Sequence, residues 1–232
     1  MLALRRSKDR GYASHGWLES YHSFSFADYH DPKHMHYSRL RVLNDDRIAP
    51  GMGFGTHPHR DMEIVTYLLH GSLEHQDSMG NGSVIDNGDV QRMSAGSGIT
   101  HSEFNPSQTV PVHLLQIWIL PDQHNLTPEY EQKHYSRDDK KGKLCPIVSP
   151  DGREGSLTLH QDVVIYASIL GEDDALQYVF AHERKGYLHV ATGEMVVNGH
   201  LLREGDGLRI ADVDKIALAS AHEAEFLLFD LP

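Results

Sequence analysis

The sequence has one cysteine, Cys145, and no long apolar run. A single cysteine excludes an internal disulfide framework, and beside Pro146 and Ile147 it is typical of a small passive hydrophobe rather than a reactive thiol. The longest apolar runs, such as residues 112–120, are much too short to span a bilayer. Residues 1–10 carry charges but no apolar stretch of the kind found in signal peptides. We therefore expect a cytoplasmic protein that does not bind membranes.

Positive charge is also scarce. Lys and Arg total 21 against 33 Asp and Glu, which gives a formal net charge of −12. Such a surface repels phosphate backbones, so we expect no direct binding to nucleic acid. A hydrophobic content of 39% with 23% charged residues is that of an ordinary folded protein.

Helical periodicity is the third scarce feature, although the polar segment 128–141 could hold a short helix. Turn signals recur at short spacing, and runs such as residues 64–69, rich in β-branched and aromatic side chains, lie between them. Short strands separated by turns every eight to twelve residues or so predict an all-β sandwich or barrel. A chain of 232 residues suffices for one large β-domain or for two of about 110 residues each.

Two short motifs stand out among the 18 histidines. His57 and His59 lie in segment 53–63, which predicts a turn running into a strand, and His101 and Glu103 follow a second glycine turn. Residues two apart in a strand share a face. Three imidazoles and one carboxylate would form a mixed nitrogen and oxygen site for a divalent transition metal. The alternative is coincidence, because a chain rich in histidine contains such pairs by chance.

The second half of the chain repeats the turn signals of the first. Residues 88–93 align with 205–210 at an offset of 117, and the dipeptide 81–82 has its counterpart at the same offset. Residues 71–74 align with 193–196, so the hairpin of the first half is five residues longer. A period of this length with matched turns predicts two similar β-domains in tandem.

The alignment places the ligands in the first half alone. The residues that align with the four candidate ligands, in chain order, are Val179, Ala181, Leu218 and Ser220. None of these binds metal. We expect an N-terminal domain at 1–135 with the metal site, a linker at 136–148 and a C-terminal domain at 149–232 without metal.

The two motifs resemble those of the cupin family. The first cupin motif, a glycine followed by HxH and a later glutamate, is matched by His57, His59 and Glu63, with Gly71 closing the hairpin. The second cupin motif is matched by Gly98, His101 and Asn105, with Gly96 where a proline is usual.

More closely, the chain resembles the pirins, which are two-domain cupins, or bicupins. That resemblance covers nearly the whole chain and rests on residues 16–17, 24–26, 54–59, 75–78, 101–105 and 229–232. It implies an all-β fold of two tandem jelly-roll domains.

The pirin resemblance implies four metal ligands, His57, His59, His101 and Glu103. It implies one divalent transition metal per chain, with Fe(II) as first choice and Mn, Ni, Cu, Co or Zn as substitutes. An octahedral ion held by these ligands keeps up to two positions for water, substrate or dioxygen, whereas closed structural zinc sites more often use four Cys or His ligands. We therefore expect an open, reactive site.

Four residues are weaker candidates for the site. Glu63, a ligand in many other cupins, shares the predicted strand face of His59 but would lie roughly 13 Å away, so we expect it to make a hydrogen bond or ion pair beside the site. Asn105 is expected to hold the backbone at a strand end. Phe54 and Phe104 flank the ligand strands and could supply an aromatic wall, although core packing is the commoner role of such residues.

Two further groups of polar residues are expected to have no part in catalysis. His75 and Asp77 lie on one strand face and predict a structural pair. His30, His34 and His36 surround Pro32 in a polar segment, which predicts a solvated loop.

Bacterial pirins resemble quercetinases, which cleave the flavonol ring with dioxygen and release carbon monoxide. The resemblance implies a metal-dependent dioxygenase of a small aromatic enol, with Glu103 as both ligand and general base. The alternative is a non-catalytic iron-binding pirin, a transcriptional co-regulator whose redox state alters a surface read by a partner protein. A third interpretation, a cupin isomerase or decarboxylase, needs no dioxygen. We expect a monomer in each case.

The repeat predicts one bound metal per chain. Because the C-terminal copy lacks all four ligands, metal analysis of the purified protein should give one tightly bound ion per chain. Loss of His57 and His59 should abolish it. Two tightly bound ions, one of them surviving that loss, would contradict the assignment.

Overall fold

Strands make up nearly all of the regular structure in the computed structural model, which describes residues 1–220 and 222–232. The strands of the first half are β1 (Leu2–Arg5), β2 (Gly11–Ser14), β3 (Leu18–His22), β4 (Leu40–Ile48), β5 (Gly53–His59), β6 (Glu63–His70), β7 (Ser72–Asp77), β8 (Gly82–Asp86), β9 (Asp89–Ser94), β10 (Ile99–Phe104), β11 (Val112–Ile119) and β12 (Glu129–His134). Those of the second half are β13 (Cys145–Ser149), β14 (Leu157–Thr158), β15 (Val164–Leu170), β16 (Ala175–Val179), β17 (Lys185–Val197), β18 (His200–Arg203), β19 (Gly207–Ile210), β20 (Lys215–Ala219) and β21 (Ala224–Leu231). The all-β prediction is confirmed.

Helical structure is confined to short segments in the described residues. One α-helix, α1, spans Arg137–Lys140, and single 3-10 turns lie at Ser7–Asp9 and Arg153–Gly155. Ser136 begins α1 with a capping box, because its hydroxyl accepts from the amide of Asp139. The segment 128–141, which could hold a short helix, contains α1 after strand β12. Within the part of the chain that the structure describes, no helix has the length and apolar character needed to cross a membrane.

The chain divides into two compact units. One comprises Gly11–His134 with Leu159–Gln161, and the other comprises Met1–Arg10, Tyr135–Thr158 and Asp162–Pro232. Strand β1 belongs to the second unit because it pairs with β19. The boundaries expected from the sequence, 1–135 and 149–232 with a linker between them, stay predictions of domains that could be separated.

The unit of Gly11–His134 contains two antiparallel sheets. The larger has the strand order β12-β9-β6-β11-β4-β3-β2, and the smaller has the order β5-β10-β7-β8. Small apolar clusters fill part of its interior; their buried members are Leu18, Ile48, Leu68, Leu73, Ile85, Val112 and Leu114 in one, and Ile64, Met93, Ala95 and Ile99 in the other.

The other unit repeats this arrangement with an apolar interior. Its strands follow the order β1-β19-β17-β21-β15-β13-β14, and β16, β18 and β20 pair beside the second half of β17. Its core cluster contains Leu170, Phe180, Leu188, Val190, Met195, Val197, Leu202, Leu208, Ile210, Ile216, Leu218, Ala224, Phe226 and Leu228.

Two equivalent glycines mark the repeat. Gly71, between β6 and β7, has φ +81°, and Gly193, within β17, has φ +76°. A Cβ at Gly71 would lie 2.7 Å from the carbonyl oxygen of Pro111, and a Cβ at Gly193 would lie 2.0 Å from that of Glu223. Both positions need a left-handed backbone and a close approach of the next strand, which only glycine allows. The predicted tandem repeat is confirmed.

The predicted counterpart of His57 is wrong by three residues. His57 pairs with His101 across β5 and β10. In the second half Leu218, the counterpart of His101, pairs with Leu176 across β16 and β20. The register therefore makes Leu176, rather than Val179, the counterpart of His57.

The same shift makes Tyr178, rather than Ala181, the counterpart of His59. Neither correction restores an imidazole. Among the described residues, both groups of three side chains that could hold a metal lie in the first half of the chain.

Strand β5 depends on Gly53 for its contact with β10. A Cβ at Gly53 would lie 2.2 Å from the carbonyl oxygen of Glu103 and 2.5 Å from the Cα of Phe104. Because backbone atoms cannot move aside cheaply, Gly53→Ala should lower stability by about 1–3 kcal/mol, seen as a lower Tm. Gly55→Ala is the matched control, since no heavy atom lies within 4 Å of its Cβ. Equal Tm values for the two variants would refute this account of the strand contact.

Candidate metal centre and cavity

Three imidazoles converge where β5 pairs with β10. His57 lies directly opposite His101, and the register shifts between His101 and Glu103, so that Glu103 lies opposite Phe54. The ring centroids of His57 and His101 are 4.4 Å apart, and the ring of His59 lies 4.9 Å from each of them. One ligand nitrogen from each ring lies within 4.8 Å of the other two. Strand pairing alone thus places the three predicted histidines together.

The surroundings of His59 and His101 favour their neutral, metal-binding form, and a hydrogen bond orients the ring of His57. Nδ1 of His57 lies 2.8 Å from the carbonyl oxygen of Gly55; a carbonyl only accepts, so Nδ1 carries the proton and Nε2 keeps its lone pair. Burial, with the nearby His57, lowers the pKa of His59 to about 4 and that of His101 to about 3. Nε2 of His101 is buried and has no hydrogen-bond partner among the described residues. An unpartnered buried nitrogen beside two other imidazoles fits a metal ligand.

His75 and Asp77 orient the ring of His101. Nε2 of His75 lies 3.3 Å from the Asp77 carboxylate, and Nδ1 of His75 lies 3.4 Å from Nδ1 of His101. Since the carboxylate accepts from Nε2 of His75, Nδ1 of His75 can accept from His101, which leaves Nε2 of His101 with its lone pair. The predicted pair is present, and it also reaches His101.

Glu103 is buried and held by two amides. Nε2 of Gln91 donates to Oε1 at 3.3 Å, and Nε2 of Gln116 donates to Oε2 at 3.3 Å. Burial raises the pKa of Glu103 to about 7, although hydrogen bonds from Gln91 and Thr66 oppose the rise. One carboxylate oxygen of Glu103 and one ring nitrogen each of His101 and His75 lie within 4.8 Å of one another. Its role as the fourth ligand stays a prediction.

Glu63 does not share the strand face of His59, and that interpretation is wrong. Strand β5 ends at His59, the chain turns at Asp61 with φ +48°, and Glu63 begins β6 in the other sheet. The carboxylate of Glu63 accepts from Ser94 Oγ at 2.7 Å and from the amide of His160 at 3.5 Å. Glu63 is buried in this network and is absent from the cavity lining.

The two phenylalanines have different surroundings. Phe54 lines the cavity and packs edge-on against Trp17 at 5.3 Å. Phe104 is 40% exposed and does not line the cavity. Asn105 is buried, and its amide donates to the carbonyl of Val110 at 2.8 Å and accepts from the amide of Ser107 at 3.0 Å. These bonds fix the chain as it leaves β10, as expected.

The histidine-rich loop contains no group of three metal-binding side chains among the described residues. Nδ1 of His34 lies 2.8 Å from Asp31, and Nδ1 of His36 lies 3.1 Å from the carbonyl of Ser38. Residues 30–36 contain no strand or helix. This agrees with the loop expected from the sequence.

The candidate ligands open into a cavity of about 800 Å³. Its walls are rich in aromatic rings that were not predicted as site residues: Tyr12, Trp17, Phe26, Tyr29 and Trp118. The ring of His59 packs edge-on against Trp118 at 5.0 Å, and Trp118 packs edge-on against Phe26 at 5.3 Å. A cavity of this volume with apolar walls and a few convergent polar groups is typical of a small-molecule site.

A row of polar side chains crosses the larger sheet beneath Glu103. Cross-strand neighbours from β3 to β9 are His22, Asn44, Gln116, Thr66 and Gln91. Paired residues share a face, so the row faces the interior, where two of its members bind Glu103. The equivalent row of the second half, found from the offset of the two glycines, is Tyr166, Leu228, Leu188 and Leu208.

Asp46 is a second buried carboxyl group in the cavity wall. Ser20 Oγ donates to its Oδ1, and Nε2 of His22 lies 2.8 Å from the same hydroxyl oxygen. Burial raises the pKa of Asp46 to about 7; the bond from Ser20 opposes the rise, and the charges of Asp45 and Glu103 add to it.

The cavity can therefore hold a divalent metal against its imidazoles and a flat molecule against its rings. Nitrogen and carboxylate donors together suit a transition ion, and the neutral imidazoles need no proton loss to bind it.

Sequence comparison identifies two families along the chain. The Pirin family matches residues 4–119, and a family described as the quercetinase C-terminal cupin domain matches residues 146–231. The chain is 50% identical over 232 residues to quercetin 2,3-dioxygenase of Escherichia coli strain K12, which covers 100% of this chain and 99% of the relative. The predicted fold of two tandem cupin domains is confirmed.

Solved structures agree. The bacterial pirin YhhW of Escherichia coli, determined in complex with nickel(II), superposes with a TM-score of 0.96 at 48% identity and covers 100% of this chain and 99% of that one. Quercetin 2,3-dioxygenase of Acinetobacter baumannii has a TM-score of 0.79 at 21% identity over 98% of this chain and 85% of that one. The second likeness shows the fold alone.

The raised pKa of Asp46 predicts a pH-dependent cost to stability. Its folded pKa, about 7, lies above the ordinary value of 3.8, so its contribution is favourable below about pH 4 and is lost as the pH rises to about 7. Asp46→Asn removes this loss. Its Tm relative to wild type should rise between pH 5 and pH 8, with a change in unfolding free energy of about 1 kcal/mol or more.

Asp45→Asn is the matched comparison, because the neighbouring carboxylate is paired with Arg47 and His113. That variant should be destabilised at both pH values. If the Tm difference between Asp46→Asn and wild type is the same at pH 5 and pH 8, Asp46 is not held in its neutral form.

Proposed function

Since the chain belongs to the pirin family, we propose that it is a metal-dependent dioxygenase of the quercetinase type, which cleaves a flavonol or a related aromatic enol with dioxygen. The observation that carries the proposal is the convergence of three imidazoles on a cavity of about 800 Å³ with aromatic walls. The name and full-length similarity of the Escherichia coli quercetin 2,3-dioxygenase support it.

We infer that His57, His59, His101 and Glu103 hold one metal ion. The free lone pair of His57 and the unpartnered Nε2 of His101 support the imidazole ligands. The burial of Glu103 between two amide donors supports the carboxylate. Fe(II) is our first choice, with Mn, Ni, Cu, Co or Zn as substitutes. Affinity for such a site differs among these ions, so the supply of each metal in the cell decides which one is bound.

The bound ion would supply a Lewis acid and a redox partner for dioxygen. The residues of this chain accept the proton and position the reacting groups. Glu103 accepts the proton of the enol hydroxyl, since its carboxylate lines the cavity and is positioned beside the ligands. Gln91 and Gln116 hold that carboxylate in place through one hydrogen bond to each oxygen.

The aromatic walls orient the substrate and exclude water. Trp118 lies edge-on to His59, and Phe54 lies 6.4 Å from the ring of His57. Rings in these positions confine a flat molecule beside the imidazoles. The substrate is therefore a small planar aromatic compound, with dioxygen as co-substrate. Turnover distinguishes this enzyme from a redox-sensitive adaptor that binds a protein partner.

Glu103→Gln and Glu63→Gln separate the base from the structural carboxylate. Glu103→Gln keeps the shape and an oxygen donor but cannot accept a proton, so flavonol turnover should fall by roughly a hundred- to ten-thousand-fold, while metal content falls far less. Glu63→Gln alters only the network of Ser94 and His160, so it should keep both metal and turnover.

The assay incubates iron-loaded protein aerobically with a flavonol and measures ring cleavage, carbon monoxide release and metal content. Absence of turnover in the wild-type protein, together with tight binding of a protein partner, would favour the adaptor. Turnover without dioxygen would favour an isomerase or decarboxylase. Loss of metal in Glu63→Gln with an active Glu103→Gln would overturn the ligand assignment.

A further inference from the structure

Tyr130 is a partly buried residue of β12 that does not line the cavity. Strand β12 is an edge strand of the larger sheet, and there Tyr130 pairs with Met93 of β9. Paired residues share a face, and the ring of Tyr130 packs against the apolar cluster that contains Met93 and Ile99. The side chain therefore lies in the interior, where its other contacts lead to two of the candidate ligands.

The ring of Tyr130 stacks on the imidazole of His75, which belongs to the smaller sheet. The two ring centroids are 4.7 Å apart, and the planes differ by 23°. A stacked ring restricts the plane of the imidazole that it covers. Nδ1 of His75 lies 3.4 Å from Nδ1 of His101, and Nε2 lies 3.3 Å from Asp77. The orientation of His75, and with it that of His101, thus depends on a carboxylate at one edge and a phenol ring on one face.

The hydroxyl of Tyr130 leads to the other ligand of the same strand. It donates to Oε1 of Gln91 at 3.2 Å, and Nε2 of Gln91 donates to Oε1 of Glu103 at 3.3 Å. Because the amide nitrogen of Gln91 binds a carboxylate, its amide oxygen faces the opposite way and needs a donor. Tyr130 is the only donor to that oxygen among the described residues.

A phenol has one proton, and two further groups lie within reach of it. Ser83 Oγ is 2.6 Å and Oε1 of Gln132 is 2.9 Å from the hydroxyl oxygen of Tyr130. The hydroxyl of Ser83 can itself donate, and Gln132 is exposed, so water can satisfy its amide. Gln91 is only 1% exposed.

The buried amide is therefore the group that requires the proton of Tyr130. An acceptor sealed from water loses the most when its donor is removed. Burial raises the pKa of Tyr130 to about 12, so the phenol keeps this proton at neutral pH and can donate it to Gln91.

We propose that Tyr130 is a positioning residue for the metal centre. Its hydroxyl holds the carboxylate of Glu103 through Gln91. Its ring holds the imidazole of His101 through His75. The inference rests on the proposed function for the identity of these two ligands, which both lie on β10. Loss of the hydroxyl releases the carboxylate, and loss of the ring releases the imidazole as well.

The test measures metal binding rather than turnover. Co(II) is titrated into metal-free protein in the absence of oxygen; competition with a chelator gives its Kd, and its visible absorption spectrum reports the arrangement of the donors. Tyr130→Phe keeps the ring and loses the hydroxyl. It should bind Co(II) about tenfold more weakly, with an altered spectrum, as expected when a partner that orients a ligand is lost. Tyr130→Leu loses both contacts and should bind about a hundredfold more weakly.

A double-mutant cycle tests the route through Gln91. Gln91→Met keeps the length of the side chain and removes the amide, so the hydroxyl of Tyr130 no longer acts on Glu103. Adding Tyr130→Phe to Gln91→Met should therefore weaken Co(II) binding no further. Losses that add in the double variant would overturn the proposal. If Gln91→Met does not fold, as judged by circular dichroism, Gln91→Leu replaces it.

Tyr178→Phe is the matched control. Tyr178 is a partly buried tyrosine of the other unit, and its hydroxyl donates to Asp230. Both groups of potential metal ligands in the described residues lie elsewhere. This variant should have a lower Tm but the Co(II) affinity and spectrum of wild type. If Tyr130→Phe behaves in the same way, its hydroxyl stabilises the fold alone and the positioning role is wrong.

The outcomes separate this inference from the proposed function. If flavonols are cleaved in air but Tyr130→Phe binds Co(II) as wild type does, the dioxygenase stands and the role of Tyr130 falls. If Tyr130→Phe weakens Co(II) binding through Gln91 but the wild-type protein cleaves no flavonol, the positioning role stands and the dioxygenase falls.

Discussion

The pairing of β5 with β10 is the constraint on which the site depends. It places His57 directly opposite His101, and it places His59 two residues along the same strand face. A slip of one residue would turn the imidazoles of one strand away from the cavity, because the side-chain period of a strand is two. The register is held from both sides, since β10 also pairs with β7, where His101 lies opposite Asp77. The position of β10 between β5 and β7 therefore fixes the candidate ligands and the pair of His75 and Asp77 together.

The two halves of the chain show what a binding cavity requires of this fold. In the second half the row Leu188, Leu208 and Leu228 joins one apolar core. In the first half the equivalent row holds Thr66, Gln91 and Gln116. Buried amides and a carboxylate gain less from burial than leucines do and must be matched with hydrogen bonds. The first half thus has a smaller apolar core, and its interior can hold a charge and a ligand.

The sequence predicted the features that depend on local pattern. The histidine pairs and the glycines at 71 and 193 were readable because each has a local signature: a spacing of two, or a turn. The polar row could not be predicted, because the sequence pattern of a strand does not show whether a glutamine or asparagine faces solvent or the interior. Glu63 was misplaced because the turn at Asp61 reverses the chain after His59. The spacing between His59 and Glu63 does not indicate that turn. Apart from Phe54, the aromatic wall was missed because its members come from separate strands and loops.

The hydrogen bonds of His75 bear on which of two overlapping groups of side chains could hold a metal. His101 belongs to a group with His57 and His59 and to another with His75 and Glu103. Asp77 accepts from Nε2 of His75, so Nδ1 of His75 accepts from Nδ1 of His101. In that arrangement the lone pair of His75 Nδ1 and the N–H of His101 Nδ1 are already in use. A metal bound between the two Nδ1 atoms would have to displace the proton of His101 Nδ1, whereas Nε2 of His101 has no hydrogen-bond partner among the described residues. The hydrogen-bonded chain from Asp77 therefore leaves Nε2 of His101 as the nitrogen that can bind a metal.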